Sequence, residues 1–231
     1  MPADRPNRLF IHGAGRRGHM AWPNMSTDRS ELLSFTPGSS IHEQTKTILQ
    51  TCGTRRITLF AHSIGAVPAT LAANNLNLAA IVLVEPAFYD IVRGDPAVER
   101  HISAVVEAQA QAADGNLPGC WAILRPLMFG GPFDEQRWDQ ERPVAEHWSR
   151  ANVPWGHGIR SGMLAGVPTL VITGGWNDEY EAIAQVLVSD GAEHRVLAGA
   201  AHRPQDLPEF RTLLDEFERT QADAAARSPT R

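Results

Sequence analysis

Residues 55–75 read RRITLFAHSIGAVPATLAANN, a β-rich run that passes directly into a helix-forming run with Ser63 at the joint. Two readings of that serine compete. It can be an N-cap, its hydroxyl accepting a backbone N–H from the first turn of the helix. It can instead be a nucleophile on a sharp strand-to-helix turn, which needs small residues two places before and after it so that strand and helix pack closely. Ala61 and Gly65 meet that need, and Pro68 falls in the first turns of the helix, where a missing N–H does least harm. The nucleophile is the expectation taken forward.

Outward from this joint, short apolar runs followed by Gly or Pro and then by helix-like segments recur, the pattern of buried parallel strands joined by crossover helices. The pattern predicts strands over 8–12, 32–36, 57–61, 80–84, 169–173 and 194–197, and helices over 41–51, 64–75, 179–189 and 209–220. That alternation implies an α/β, three-layer sandwich: a mostly parallel sheet of about six strands flanked by helices, with ligands at the carboxyl ends of the strands. Between Pro86 and about Ala165 it breaks. Residues 98–115, VERHISAVVEAQAQAADG, have the spacing of a helix ending at Gly115, and a stretch rich in Trp, Pro and Gly follows. A long helical insertion between parallel strands has to lie over one end of the sheet, so 86–165 is expected as a helical cap on a core of 1–85 and 166–220. Trp121, Trp138, Trp148 and Trp155 fall in it; they are expected to form its own small core, with Trp121, Trp138 and Trp155 the candidates to line an apolar substrate pocket. The tail 221–231, QADAAARSPTR, is small and polar and is expected to be flexible.

A chain of 231 residues, 43% of them hydrophobic, can close a full core, so one globular domain with an inserted subdomain is expected. The net charge of -5 and pI near 6.0 supply no broad positive field. That argues against a nucleic-acid or anionic-membrane binder and leaves a small-molecule or protein partner open, a small-molecule substrate being the one expected. Cys52 and Cys120 have no metal-ligand spacing, so neither a disulfide framework nor a structural zinc is expected. The start, MPADRPNR, is polar, and LFIHG behind it already reads as a strand. No signal peptide or membrane insertion is expected, and a cytoplasmic location is the default.

Two further segments bear on Ser63. The first strand runs into LFIHGAGRRGHMAW (9–22), where a His-Gly turn and small residues can aim backbone N–H groups at the serine, as an oxyanion hole requires. The N–H groups of Ala14 and Ile64 are the candidate donors. Near the other end, RVLAGAAHRPQDLPEF (195–210) puts His202 in a Gly/Ala-rich loop from which a general base can reach back across the strand ends. Arg16, Arg17 and His19 read as solvated, with a polar substrate group as the alternative partner, and His12 and His62 read as packing or hydrogen-bonding residues. His101, His147 and His157 lack metal-ligand spacing, so no metal and no cofactor is expected.

Taken in order, HGAG after a first strand, AHSIG at a strand-helix joint, an acid, and GAAHRPQ before a terminal helix, the chain resembles the α/β-hydrolase superfamily over most of its length outside the cap. The resemblance implies Ser63 as nucleophile, His202 as base and Ala14 with Ile64 as oxyanion donors. It departs at Ala61, which stands for the first glycine of G-x-S-x-G. It also makes the first strand here the family's third, so that the cap follows the sixth-strand position. The acid stays open. The family's commoner place falls in PTLVITGGWNDEYEAIA (168–184), where counting from Gly174 reaches Asn177 and counting from Gly175 reaches Asp178. Asp178 has a second reading as a helix N-terminal charge. The family's other place falls in IVLVEPAF (81–88), where Glu85 ends a buried strand and must find partners or lose its charge. The implied activity is hydrolysis of an ester, thioester or related acyl bond in a small, largely apolar substrate. Lyase, cyclase or carbon-carbon bond chemistry on the same site, and a ligand-binding protein with an inactive triad, are the alternatives.

Overall fold

The computed structural model describes residues 6–25 and 29–227. They form two compact units, one ending at Val92 and resuming at Pro154, the other Arg93–Val153. The first unit carries six strands, β1 (Asn7–Ile11), β2 (Ser30–Leu33), β3 (Ile57–His62), β4 (Leu78–Val84), β5 (Thr169–Thr173) and β6 (Glu193–Val196). They pair in the order β2-β1-β3-β4-β5-β6, every pair parallel. β3 and β5 are buried along their whole length, which is why both read as mostly apolar runs, with Thr58, His62, Thr169 and Thr173 the polar residues. The chain leaves β1 to one side for β2 and returns to the other for β3. The β1/β3 boundary is therefore the topological switch point, and in such sheets ligands bind outside the carboxyl ends of the strands there. The HGAG loop and Ser63 both leave from that boundary.

In chain order the helices are α1 (Gly18–Ala21), α2 (Ile41–Cys52), α3 (Ala66–Ala73), α4 (Pro96–Ala113), α5 (Leu117–Phe129), α6 (Trp138–Trp148), α7 (Asp178–Ser189) and α8 (Glu209–Arg227). Alternation along the strands splits the core into two layers. Phe10, Phe60, Val82, Val84 and Ile172 meet Trp22 after α1 and Phe210, Leu214 and Phe217 of α8. Phe10 and Phe60 stack at 4.4 Å, and each buried ring of this kind contributes about 1.5–3 kcal/mol. Leu9, Ile11, Leu59, Leu83 and Val171 are buried on the opposite face. α3 is apolar on nearly every side because it is enclosed, with only Leu71 of its residues not fully buried.

The inserted unit holds α4, α5 and α6. Asp95 caps α4, accepting from the Ala97 and Val98 N–H groups, and Pro96 occupies the first helical position, where its missing N–H costs nothing. Trp121 of α5 is 2% exposed; its indole N–H donates to Glu141 of α6 at 2.6 Å and its ring packs on Phe129, which also meets Trp148.

Some boundaries differ from the sequence expectations. Residues 86–92 and 154–165 belong to the sheet-bearing unit, so the compact insertion is shorter than 86–165. β2 ends at Leu33 because the chain then leaves the sheet, and the Phe35 N–H donates to the His12 ring. The helix after Ser63 opens as a 3-10 turn, Ser63–Gly65, before α3. α8 runs on past the expected end at 220 to Arg227, because QADAAAR is a good helix former continuing an established helix, and 228–231 of the tail lie outside the described residues. Among the described residues no helix is long and apolar enough to cross a membrane.

Candidate active site

Ser63 has φ 54°, a left-handed conformation that costs a residue with a Cβ roughly 1–2 kcal/mol. Its hydroxyl is not an N-cap, since neither the 3-10 turn nor α3 has a side-chain cap. Small residues hold the turn in place. A Cβ on Gly65 would lie 2.3 Å from the His12 carbonyl oxygen, and one on Gly13 would lie 3.0 Å from Ser63 Cβ. The HGAG loop therefore abuts the turn backbone to backbone. His12 braces that loop: its Nε2 accepts from the Phe35 N–H at 3.4 Å, so its Nδ1–H is the donor to the Gly13 carbonyl at 2.6 Å. Burial, ahead of Arg17, holds the ring below the usual histidine range and so neutral, as both bonds need. The planar peptide that carries the Gly13 carbonyl also carries the Ala14 N–H on its opposite edge, so His12 fixes the direction of both. Ile64 N–H lies in the first turn of its helix, where no intrahelical acceptor exists.

Glu85 follows β4, is fully buried and has φ 46°. Its carboxylate accepts from the Gly174 N–H at 2.6 Å and the Trp176 indole N–H at 3.0 Å, and it meets His202 Nδ1 at 3.1 Å. A carboxylate can only accept, so His202 carries its proton on Nδ1 and its lone pair on Nε2. Asp178 is exposed on the first turn of α7, behind Asn177, whose side chain caps that helix through the Glu179 N–H at 2.7 Å. Of the two candidate acids, the structure brings Glu85 to His202.

The loop bearing His202 is clamped from three directions. His62 donates from Nε2 to the His202 carbonyl at 2.9 Å; burial, then the neighbouring His202 ring, holds His62 well below the usual histidine range, so it is a neutral donor. A Cβ on Gly174 would lie 2.1 Å from the Ala201 carbonyl oxygen, so only glycine admits the loop there. Arg203 bonds Asp206 and the Met20 and Ala21 carbonyls, while Arg16 also reaches Asp206 at 3.2 Å, which ties the base loop to the segment after HGAG. Four described non-glycine residues have positive φ, and three of them, Ser63, Glu85 and Ala201, gather at this end of the sheet. Such conformations are unfavourable and persist only where the surrounding structure holds them.

Sequence reasoning missed Tyr180. It lies on the first turn of α7, 8% exposed, with its ring 5.0 Å from that of His202. Burial, then Glu85 and Glu179, pushes the phenol far above the usual tyrosine range, so it stays protonated. The available signal was its place just after a strand's carboxyl end, in GGWNDEY. Trp176 and Gly174, which bond Glu85, come from the same stretch. Of the candidate pocket tryptophans, Trp121 and Trp138 pack within the inserted unit on Phe129 and Phe133, and Trp155 stacks on Tyr89 in the sheet-bearing unit.

Among the described residues no three His, Cys, Asp or Glu side chains are arranged to hold a metal ion. A cavity of ≈ 250 Å³ lined by Thr70, Ile159, Leu164 and Leu187 reaches Thr169 and Ala192, at the amino ends of β5 and β6, and so lies away from Ser63.

No protein-family model and no curated protein matches the sequence. Solved structures do match in shape. A hydrolase from Oleispira antarctica has TM-score 0.63 at 16% identity, over 94% of this chain and 92% of that one. MenH from S. aureus has TM-score 0.61 at 17% identity, over 94% and 95%. A structure from a study of carboxylesterases of the thaumarchaeon Nitrososphaera gargenis has TM-score 0.59 at 16% identity, over 95% and 92%. At such identities the likeness is one of fold.

Proposed function

We propose that this chain, whose fold is that of the α/β-hydrolases, is a serine hydrolase cleaving an ester, thioester or related acyl bond of a small, largely apolar substrate. The observation that carries the reading is the His202–Glu85 pair at 3.1 Å, set at the same end of the sheet as a serine in a strained turn. With Nδ1–H held by Glu85, His202 offers the Nε2 lone pair as general base. Ser63 Oγ bonds to the acyl carbon as its proton passes to Nε2, and the carbonyl oxygen, now negative, rests on the Ala14 and Ile64 N–H groups. The tetrahedral species collapses, the leaving group takes the proton from His202, and a water activated in the same way releases the acid and restores Ser63. Glu85 keeps the imidazolium oriented and balanced in charge and does not itself take the proton.

The test is labelling by a fluorophosphonate probe and turnover of short p-nitrophenyl esters, for wild type and Ser63→Ala. Both are expected in the wild type and neither in the variant; labelling or turnover that survives the substitution sinks the reading. Labelling of Ser63 without turnover across an ester panel would move the chemistry away from hydrolysis.

A further inference from the structure

We propose that Trp176 is a positioning residue: its indole N–H shares Glu85 Oε2 with His202, withholds part of the carboxylate charge from the imidazole, and so keeps His202 a neutral base to lower pH. The inference rests on His202 as the general base of the proposed hydrolase.

The two oxygens of Glu85 are held differently. Oε1 accepts the Gly174 backbone N–H at 2.6 Å. Among the described residues Oε2 takes two side-chain donors, the Trp176 indole at 3.0 Å and His202 Nδ1 at 3.1 Å. Glu85 is fully buried, so solvent does not screen the competition between them. A hydrogen bond given to a carboxylate stabilises its charge and leaves less of it for a second donor. Trp176 leaves the turn made by Gly174 and Gly175, the latter at φ 64°, and its ring stands edge-on to His202 at 6.2 Å. Indole and imidazole thus approach Oε2 side by side.

The other groups facing His202 leave that oxygen in control of its proton. On β3, His62 lies 4.8 Å away ring to ring and is held neutral by burial. On α7, Tyr180 lies 5.0 Å away and keeps its proton, and Glu179 beside it accepts from the Tyr89 O–H at 2.6 Å. Arg203, next in the chain, donates to Asp206 at 2.7 Å. The imidazolium that forms during attack therefore faces the charge of Glu85, and the indole sets how much of it is felt. Without the indole donor, Oε2 turns its whole charge to His202, which then takes up a proton at higher pH and is lost as a base there.

The test follows the His202 ring carbon signal against pH by NMR, assigned by its loss in His202→Asn. Trp176 is 47% exposed, so its replacement leaves the core intact, and thermal unfolding checks this. Trp176→Phe is expected to raise the midpoint by about half a pH unit to one unit, about threefold to tenfold in proton binding. The acid limb of kcat/KM on a short p-nitrophenyl ester should move with it. Replacing Trp176 by benzothienylalanine keeps the bicyclic ring, puts sulfur in place of N–H, and should give the same shift. In Glu85→Gln the indole has lost its anionic acceptor, so adding Trp176→Phe should leave the midpoint where Glu85→Gln puts it. A merely structural role predicts equal losses of activity at every pH and no shift. A midpoint that stays or falls in Trp176→Phe, or that stays with benzothienylalanine, overturns the inference. The midpoint is read without turnover: left unmoved while Ser63→Ala abolishes turnover, it sinks this inference alone, whereas turnover surviving Ser63→Ala sinks the hydrolase reading beneath it.

Discussion

Replacing Glu85 by glutamine keeps the volume and changes one oxygen into a donor, and the geometry says which one. Placing the new NH2 toward Gly174 sets it against a buried backbone N–H at 2.6 Å, which has no other outlet. Placing it toward Trp176 and His202 sets it against an indole on a side chain that is 47% exposed and can turn to water. It also meets an imidazole that can accept by moving its proton. The second placement is therefore the cheaper. It leaves His202 with the proton on Nε2, facing Ser63 with a donor where a base is needed. Loss of the correct tautomer costs about 10⁴ in kcat in a serine triad, equivalent to about 5.5 kcal/mol of barrier. One imperfectly met donor should cost about 1–3 kcal/mol of stability, or roughly 2–4 °C in Tm for each kcal/mol at this chain length. The assay is kcat on a short p-nitrophenyl ester, with thermal unfolding to show that the variant folds, run beside Asp178→Asn. The latter removes only a charge from the N-terminus of α7, worth about 0.3–1 kcal/mol, and should leave kcat within about twofold. A folded Glu85→Gln within tenfold of wild type, or a loss in Asp178→Asn of the same order, would refute the reasoning.

Ser63→Gly removes the side chain that makes φ 54° unfavourable, so it should raise unfolding stability by roughly 1 kcal/mol while abolishing fluorophosphonate labelling; a loss of stability contradicts the strain. Gly65→Ala must push the His12 carbonyl back from 2.3 Å and should cost about 1–3 kcal/mol in urea unfolding together with activity, whereas Gly15→Ala meets nothing within 4 Å and should stay within about 0.5 kcal/mol. His62 is held neutral in the folded chain, while the unfolded chain takes a proton near pH 6.5. Stability is therefore unaffected by this group above that pH and falls as pH drops below it, by up to about 1.4 kcal/mol per pH unit. His62→Gln should flatten the slope between about pH 6.5 and 5, with His12, also lowered by burial, leaving a remainder; an unchanged slope argues against the neutral ring.

Local pattern carried the architecture. Apolar runs with Gly and Pro punctuation, alternating with helical spacing, dictate parallel strands and crossovers, because burial on both faces keeps strands such as β3 and β5 free of Asp, Glu, Lys and Arg and mostly apolar. The joint at Ser63 was equally legible, since a turn that places a serine between strand and helix tolerates only small residues at positions 61 and 65. The partner of His202 was not. Glu85 and Asp178 each follow a strand, and nothing in their own neighbourhoods says which of them meets a histidine on a third loop. That depends on β4 lying beside β5, on the Glu85 N–H bonding Ile172, and on Gly174 leaving room for the Ala201 carbonyl. Tyr180 was hidden for the same reason: helical spacing reports which face of α7 a residue occupies, not what that face meets. Periodicity is a property of one element, whereas a site is a convergence of several, and the order of the strands and the handedness of the crossovers decide which residues converge.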